Sequence, residues 1–393
     1  MEHRNINHIG VDCCGCGNCA NACPRQAVTM IPNVEGFIYP DIASTCVNCG
    51  ICVKVCPQIK DLNNLNKQLS YAAVTKDDDI LKNAASGGVF GSISKLFLSQ
   101  DNAYVCAATF SNGIVKHIVT DSLGDIKKFQ GSKYVQSNLG ECFPKIKSIL
   151  KEGSKVLFCG TPCQVAALYS FVGYRPSNLF TLDLICHGVP SPMFLNKDIK
   201  HYCNDFNKLK DLRFRWKNPQ KPRSSSGFFL YFNMNHRSEL YSSSYDPYFA
   251  TFMRGESFRL SCYQCRYANI KRVGDITIGD FDSYKDYPNF HPGEGKSTVI
   301  INSINGLLLW EQSKNLFDFI EIDLIREASV SHQLAHPFEK SSIRETFYQD
   351  VKNMSFHTLR KKYALPISKQ QRILFTIQTY FPALYKMIIL KKL

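Results

Sequence analysis

The cysteines near the N-terminus constrain this chain more than any other feature of its sequence. They form two runs with one spacing, C-x2-C-x2-C-x3-C-P. The first run is Cys13, Cys16, Cys19 and Cys23 with Pro24, and the second is Cys46, Cys49, Cys52 and Cys56 with Pro57. Zinc sites rarely carry a third and fourth cysteine at these offsets, and disulfides are not expected because Met1–Asp12 lacks the apolar segment of a secretion signal. The runs therefore indicate iron–sulfur chemistry.

Bacterial two-cluster ferredoxins use this spacing, and in them the fourth cysteine of each run binds the cluster of the other run. We therefore predict two [4Fe-4S] clusters in a ferredoxin module at residues 1–60. One cluster is predicted on Cys13, Cys16, Cys19 and Cys56, and the other on Cys46, Cys49, Cys52 and Cys23. Such a module transfers single electrons.

The length of 393 residues leaves room for further domains behind that module. Seventeen cysteines without an export signal indicate metal and redox chemistry in a reducing compartment, so we expect a cytoplasmic protein. No apolar stretch approaches the ~20 residues that span a bilayer.

The formal net charge of +14 favours anionic partners, and it is unevenly distributed. No acidic residue follows Asp350, and basic residues also concentrate in Arg213–Arg223. Each [4Fe-4S] cluster with its thiolates carries about −2 and offsets part of the excess. Because no recognition motif is present, nucleic-acid binding is not expected. The basic tail from Leu365 is predicted to be a helix docked on the protein itself, with contact to a membrane surface as the alternative.

The segment from Lys155 has the clearest α/β pattern. A buried strand at 156–159, a helix beginning at Thr161-Pro162 and a strand at 179–186 predict a βαβ unit with parallel strands. Cys163 and Cys186 then share the carboxyl edge of the sheet, where open α/β folds bind ligands. Further predictions are strands at 71–74, 103–110, 114–120, 212–216, 228–232, 275–280 and 298–302, a linker at 60–70, and mostly helix from about residue 307.

Cys262 and Cys265 form a single C-x2-C pair downstream. Together with Cys163 and Cys186 they make four cysteines that could bind a third cluster, and the helix start would favour a Cys163 thiolate. From these residues alone, half a zinc site, a redox dithiol and two unrelated thiols remain alternatives. The other cysteines, Cys14, Cys106, Cys142, Cys159 and Cys203, are predicted to be structural.

Ser86-Gly87-Gly88 opens a predicted amphipathic helix that runs to about Ser99. A serine cap and two glycines would let a phosphate approach the free N–H groups of the helix start. A capped helix with a glycine turn explains the same residues without a ligand, and from the residues alone it is the favoured interpretation.

Several short motifs together resemble one known family. In chain order they are Ala85-Ser86-Gly87-Gly88, Gly131-Ser132-Lys133-Tyr134-Val135, Gly160-Thr161-Pro162-Cys163-Gln164, Cys186-His187-Gly188-Val189-Pro190-Ser191, Cys262-x2-Cys265 and Asp275-Ile276-Thr277-Ile278-Gly279-Asp280. From about residue 70 to 305 this order resembles the coenzyme F420 hydrogenase/dehydrogenase beta-subunit family. With the ferredoxin module in front, the chain is most similar to the stand-alone F420H2 dehydrogenase type.

The resemblance implies FAD beside a third [4Fe-4S] cluster, whose ligands would be Cys163, Cys186, Cys262 and Cys265. It implies hydride exchange with a deazaflavin such as coenzyme F420 or a similar two-electron carrier, and passage of single electrons to a redox partner. The implied flavin or substrate contacts are Ser86, Gly87, Gly88, Lys133 and Tyr134. Segment Arg213–Arg223 would meet a phosphorylated, acidic cofactor tail. Some relatives are encoded with polysaccharide-assembly enzymes, which suggests a bacterial polysaccharide pathway.

We therefore predict an α+β and α/β chain: a ferredoxin module at 1–60, family regions with a mixed sheet at 70–150 and 151–310, and a basic helical tail at 311–393. The predicted function is electron transfer between a hydride carrier and ferredoxin-type carriers by an FAD and [4Fe-4S] oxidoreductase. The alternative is a non-catalytic electron-transfer subunit that docks on a partner enzyme.

Overall fold

The computed structural model describes residues 5–60, 62, 68–217, 223, 228–234, 237–291, 293 and 295–364, and the single positions 373, 377, 384, 387 and 388. No helix within these ranges is long and apolar enough to cross a membrane. Apart from those five single positions, the tail helix predicted from Leu365 lies outside the described residues, and so does about half of the linker predicted at 60–70.

The N-terminal module repeats one short unit. It contains α1 (Asn18–Asn21), β1 (Val28–Pro32), β2 (Ile38–Ile42) and α2 (Ile51–Lys54), and the two strands pair antiparallel between the cysteine runs. Gly17 and Gly50 each precede a helix with φ +77°. Because side chains rarely tolerate this left-handed conformation, glycine allows the sharp turn from the second cysteine of each run into its helix.

A mixed eight-stranded sheet forms the body behind the module, and a three-stranded sheet packs beside it. The strands are β3 (Leu69–Thr75), β4 (Ala103–Ser111), β5 (Ile114–Thr120), β6 (Lys155–Gly160), β7 (Leu179–Leu184), β8 (Leu209–Arg213), β9 (Phe229–Met234), β10 (Arg237–Ser242), β11 (Ile276–Asp280), β12 (Ser297–Ile301) and β13 (Phe317–Glu321). The large sheet has the order β13-β3-β12-β11-β7-β6-β4-β5. Its central pairs are parallel and its outer pairs antiparallel. The predicted mixed sheet is thereby confirmed.

Helices cover both faces of the large sheet, and others pack with the small sheet. They are α3 (Asp78–Leu81), α4 (Val89–Leu98), α5 (Ile126–Phe129), α6 (Cys142–Lys151), α7 (Pro162–Val172), α8 (Pro192–Tyr202), α9 (Pro247–Met253), α10 (Ile304–Ser313), α11 (Leu324–Val330), α12 (His332–Ala335), α13 (Ile343–Asn353) and α14 (Phe356–Tyr363). Leu157 of β6 packs with α4 and α10, whereas its neighbour Phe158 packs with α6 and α7. This alternation is what a strand buried on both faces requires.

The predicted βαβ unit is present as β6-α7-β7, with Val156 opposite Leu179 in parallel register. Pro162 is the first residue of α7, and Thr161 and Gln164 form a capping box that satisfies the free N–H groups there. Because the helix start is held this firmly, the position of Cys163 at the edge of the sheet is well defined.

The C-terminal residues differ from the predicted helical tail. Phe317–Glu321 forms β13, which pairs antiparallel with β3 at one edge of the large sheet. Phe317, Phe319 and Glu321 occupy every second position, which is the period of a strand. Five residues are too few for this periodicity to predict a strand from the sequence alone. Helices α13 and α14 then pack with α8, α9 and the small sheet in one apolar core. Residues 311–364 therefore belong to the body of the protein.

Candidate functional site

One cavity of the module is lined by four cysteines that come from both runs. Cys46, Cys49 and Cys52 line it together with Cys23 from the first run, which is the crossed set predicted from the spacing. The backbone N–H of Ala27 donates to Cys23 Sγ at 3.3 Å. Hydrogen bonds of this kind stabilise thiolate ligands of iron–sulfur clusters. These four residues are suited to hold a cluster.

The second crossed set lies deeper in the module. Burial is the main cause that raises the pKa of Cys19 and of Cys56 to about 12; the charge of Cys13 contributes at Cys19, and the charges of Cys14 and Cys13 contribute at Cys56. The Gly15 N–H donates to Cys13 Sγ at 3.3 Å. Cys16 packs toward the core beneath α6 and α7. Thiols in such an environment become thiolates when a metal supplies the compensating positive charge.

The arrangement of these side chains differs from that of a zinc site. Within the described residues, no three His, Cys, Asp or Glu side chains group as ligands of a single metal ion. A [4Fe-4S] cluster has no such requirement, because its four cysteines bind at separate corners of a larger cage. The donor set is therefore consistent with clusters.

The tertiary structure brings a third cysteine set together from three segments. Cys163 lies in the first turn of α7, Cys186 follows β7 by two residues, and a 3₁₀ turn at Leu260–Gln264 contains Cys262 and precedes Cys265. Burial raises the pKa of Cys186 to about 11 and that of Cys262 above its ordinary range, and Cys265 raises both further by its charge. These effects on the pKa values indicate that the sulfurs of Cys186, Cys262 and Cys265 are neighbours.

The pKa of Cys163 differs from the expectation of a thiolate favoured by the helix start. Its hydrogen bond with Cys14, its burial and the charge of Cys265 all raise that pKa. In this fold the low dielectric and the nearby sulfurs outweigh the partial charge of the helix N-terminus.

Cys14, predicted to be structural, lies between the module and the third set. The Cys16 and Cys163 thiols both hydrogen-bond to its sulfur, which holds the pKa of Cys14 well below its ordinary value. Sequence reasoning missed this position because Cys14 belongs to no spacing pattern. The first run and the third set are therefore in direct contact through one side chain.

A buried arginine fastens the first cysteine loop to the body. Arg259 is 1% exposed and donates to the Cys13 carbonyl, to the Ile38 carbonyl at 2.9 Å and to Gln136 Oε1 at 3.1 Å. Gly15 lies so close to this network that a Cβ there would stand 2.2 Å from Gln136 Nε2. No motif marked Arg259, because its partners are far away in sequence.

A second buried arginine holds the segment that carries Cys262 and Cys265. Arg272 pairs with Asp183 at 3.3 Å, and both side chains are at most 1% exposed. It also donates to the Leu184 carbonyl at 2.8 Å and the Tyr267 carbonyl at 2.9 Å. Arg272 thus joins the end of β7, which leads to Cys186, to the chain that follows Cys265.

The Ser86-Gly87-Gly88 segment packs against β12 in a way the sequence did not predict. Ser86 Oγ donates to the Lys296 carbonyl, and Gly88, not serine, is the N-cap of α4, with φ +77°. A Cβ on Gly87 would lie 2.3 Å from the Ala73 carbonyl oxygen. The expectation of a serine cap is therefore wrong, and close packing within the protein already requires the glycine at 87.

Two cationic side chains lie beside this segment. Lys217 is 3% exposed and donates to the Ser86 carbonyl at 2.7 Å and the Leu81 carbonyl at 3.3 Å. Burial lowers its pKa to about 7, and Arg215 lowers it further. Arg215 pairs with Asp280, but its buried Nε has no hydrogen-bond partner among the described residues. This pair of cations is suited to an anion.

The other implied flavin contacts are engaged within the protein. Lys133 Nζ donates to four carbonyl oxygens at 2.8–3.1 Å, those of Lys128, Phe129, Gln130 and Gly131. Burial lowers the pKa of Lys133 to about 7. The Tyr134 ring stacks on Phe252 at 4.4 Å, and His187 stacks on Phe252 at 5.5 Å. An aromatic contact therefore links Tyr134 to the residue after Cys186.

Comparison with known proteins identifies two regions of this chain. Residues 153–323 match the family model for the C terminus of the coenzyme F420 hydrogenase/dehydrogenase beta subunit, and residues 12–59 match that of a 4Fe-4S dicluster domain. Residues 153–323 are therefore similar to the C-terminal region of F420 hydrogenase/dehydrogenase beta subunits, and a region similar to a 4Fe-4S dicluster domain precedes them. The resemblance stated from the sequence is confirmed in these ranges.

The F420 hydrogenase/dehydrogenase domain contains all four cysteines of the third set, while Ser86–Gly88, Lys133 and Tyr134 precede it. Among solved structures, a chain of the F420-reducing [NiFe] hydrogenase complex from Methanosarcina barkeri matches with 19% identity and a TM-score of 0.45. That match covers 69% of this chain and 91% of the other. A search of curated proteins found no match.

The cationic segment Arg213–Arg223 of the family domain is largely paired. Arg213 lies 2.7 Å from Asp211, Arg215 pairs with Asp280, and Arg223 lies 3.1 Å from Asp78. Lys221 lies outside the described residues. Lys217 differs from these arginines because its hydrogen bonds go to the carbonyl oxygens of Leu81 and Ser86. It is therefore the described cation of this segment that is best suited to bind an acidic ligand.

Proposed function

We propose that this chain is an iron–sulfur flavoprotein oxidoreductase that passes electrons between a two-electron hydride carrier and a ferredoxin-type one-electron carrier. The observation that carries the proposal is the contact of Cys14 with both Cys16 and Cys163. This contact makes the dicluster module and the third cysteine set one continuous redox region. Contact between the two regions is what electron transfer from one to the other would require.

The proposed cofactors are three [4Fe-4S] clusters and FAD. The clusters would be held by Cys13, Cys16, Cys19 and Cys56, by Cys23, Cys46, Cys49 and Cys52, and by Cys163, Cys186, Cys262 and Cys265. When bound, the clusters supply one-electron steps and the flavin the exchange between one and two electrons. The protein would position these groups relative to one another.

The two ends of this proposed redox region differ in their exposure to solvent. Cys49 is exposed and its neighbour Val47 is 60% exposed, so the Cys23, Cys46, Cys49 and Cys52 set lies where a protein partner can reach it. Cys163 and Cys265 are packed toward the interior, against the core of α6 and α7. One-electron carriers would therefore meet the module, and the two-electron carrier the body.

The proposed flavin site is the space beside Ser86, Gly87 and Gly88. Its support is the buried charge of Lys217 and Arg215, which lacks a full complement of anionic partners among the described residues. A phosphate group of FAD would neutralise that charge, and the start of α4 adds the attraction of a helix N-terminus. Lys133 and Tyr134 would act by shaping the wall of this space.

Anaerobic reconstitution tests the proposal. Wild-type protein should bind about twelve irons and about one FAD, as expected for three clusters and a flavin site. C186A should lose about four irons, and C203A should lose none, because Cys203 donates to the Asp205 carbonyl away from the three sets. Only eight irons with no flavin in the wild type would refute the proposal.

A non-catalytic electron-transfer subunit is the second candidate, and the engagement of Lys133 by four carbonyls favours it. The two candidates differ in anaerobic reduction by F420H2, NADH, NADPH and reduced ferredoxin, followed by flavin and cluster absorbance. Reduction by reduced ferredoxin and by none of the other three would support the electron-transfer subunit.

We also propose, from the family resemblance, that the protein serves a bacterial polysaccharide pathway. Polysaccharide-assembly enzymes encoded by the neighbouring genes would support this proposal.

A further inference from the structure

A cavity of about 500 Å³ opens between β5, the loop before α6 and α6 itself. Its lining includes Lys116, His117, Asn138, Glu141, Cys142 and Lys145. None of these residues belongs to the proposed cluster or flavin sites. The adjoining Gly140 accepts a hydrogen bond from Asn21 of the module at 2.9 Å, so the cavity lies next to the docked module.

Two thiols meet at the inner wall of this cavity. Cys142 is the first residue of α6 and is 9% exposed, and its Sγ lies 3.4 Å from the His117 carbonyl oxygen. Cys106 lies on β4, is fully buried, and hydrogen-bonds to Cys142. Cys142 therefore lines the cavity, whereas Cys106 packs in the same buried core and does not line the cavity.

The electrostatic surroundings differ between the two sulfurs. The hydrogen bond from Cys106 and the charges of Lys145 and Lys116 lower the pKa of Cys142, against the effect of its burial. Burial raises the pKa of Cys106. His117 adds no charge, because burial lowers its pKa to about 4, and Glu141 is the acidic residue in the lining. Cys142, which lines the cavity while Cys106 is fully buried, is thus the thiol that an entering disulfide meets first.

We propose that Cys142 and Cys106 form a redox-active dithiol that small disulfides entering this cavity oxidise reversibly to an intramolecular disulfide. The outer thiol on the cavity, the inner thiol in contact with it and the two lysines at the entrance are the features that such a site needs. The site is independent of the proposed clusters and flavin.

The reaction balances with one small disulfide as the oxidant. The Cys142 thiolate attacks a sulfur of that disulfide, forms a mixed disulfide and releases one thiolate. Cys106 then loses its proton and attacks Cys142 Sγ, which forms the Cys106–Cys142 bond and releases the second thiol. The two protein thiols lose two electrons and two protons, and the oxidant is reduced to two thiols.

Peptide mapping of the anaerobic holoprotein tests the proposal with glutathione disulfide as the probe. Cleavage after lysine places Cys106 in residues 96–116 and Cys142 in residues 134–145, each as the single cysteine of its peptide. After treatment and blocking of free thiols, the two peptides should appear linked, and dithiothreitol should separate them. Iron content should not change, because the dithiol binds no cluster.

Variants separate the two roles. C106S should accumulate glutathione on Cys142, because the resolving thiol is absent, whereas C142S should form neither the link nor a glutathione adduct on Cys106. C203S is the control and should link as the wild type does. Absence of the linked peptides in the wild type, while Cys142 reacts only after denaturation, would overturn the proposal. So would first reaction at Cys106.

Discussion

Arg344 and Glu35 form a two-pronged ion pair that joins the C-terminal helices to the N-terminal module. Arg344 Nη1 and Nη2 lie 2.8 and 2.6 Å from the two carboxylate oxygens, and the arginine is 2% exposed. Its Nε donates to the Phe258 carbonyl at 2.7 Å. Together with Arg259 at the first cysteine loop, this pair holds the module against the body.

R344M should lower the free energy of unfolding by about 2 kcal/mol or more, because Glu35 and the Phe258 carbonyl lose their partner inside the protein. The matched control is R326M, whose pair with Asp286 is half exposed and should contribute less than about 1 kcal/mol. Thermal unfolding of anaerobic holoprotein measures both. Equal shifts of Tm would contradict a special role for the buried pair.

C23S should remove about four irons per chain, because Cys23 is proposed to complete the set of the second run. C14S should keep all the iron, because Cys14 belongs to none of the three sets although it contacts Cys16 and Cys163. Iron analysis after identical reconstitution compares the two. If C14S loses iron and C23S does not, the crossed assignment is wrong.

Lys217 makes the proposed flavin affinity depend on pH. Burial lowers its pKa to about 7, so the free protein loses this positive charge as the pH rises through 7. A bound phosphate favours the charged form, and FAD should therefore bind more weakly at pH 8.5 than at pH 6.5, by at most about 25-fold, because one linked proton changes the affinity by up to tenfold per pH unit above a pKa of about 7.

K217M should bind FAD weakly at every pH and lose most of this dependence. K208M is its control, because Lys208 lies at the surface, 4.0 Å from Asp205, and has no part in the proposed site. Anaerobic fluorescence titration with FAD measures the affinities. An unchanged pH profile in K217M would exclude Lys217 as the phosphate partner.

Asp198 should make the folded protein less stable as the pH rises. Burial raises the pKa of Asp198 well above its ordinary value, and the adjacent Asp246 raises it further, while Arg360 opposes the rise. The folded state therefore holds a proton that the unfolded chain releases near pH 4. Between that pH and the raised pKa, stability falls by up to about 1.4 kcal/mol per pH unit.

D198N keeps a hydrogen-bonding side chain against Asp246 without titrating, so it should remove this slope and raise Tm at pH 7. Asp286, which is exposed and pairs with Arg326, provides the control variant D286N. Thermal unfolding from pH 5 to pH 8 gives the two slopes. Parallel curves for D198N and the wild type would contradict the assignment.

Local patterns were predictable from the sequence where a few neighbouring residues determine the structure. The spacing of the cysteine runs predicted the module and the grouping of Cys23 with the second run, and Thr161-Pro162 predicted the start of α7. The strand at Phe317–Glu321 and the N-cap at Gly88 were not predicted, because pairing with β3 and packing against β12 decide them.

The dicluster module and the third cysteine set were each visible in the sequence, but only the tertiary structure decided how they meet. Cysteine spacing predicts cluster ligands because three ligands of each cluster lie within a few residues of one another in the sequence. The junction at Cys14 and Cys163, and the contact of Arg259 with Cys13 across 246 positions, depend on the packing of distant segments. No local sequence pattern predicts such contacts, because they are stabilised by burial and by electrostatic interactions between segments that are far apart in the chain.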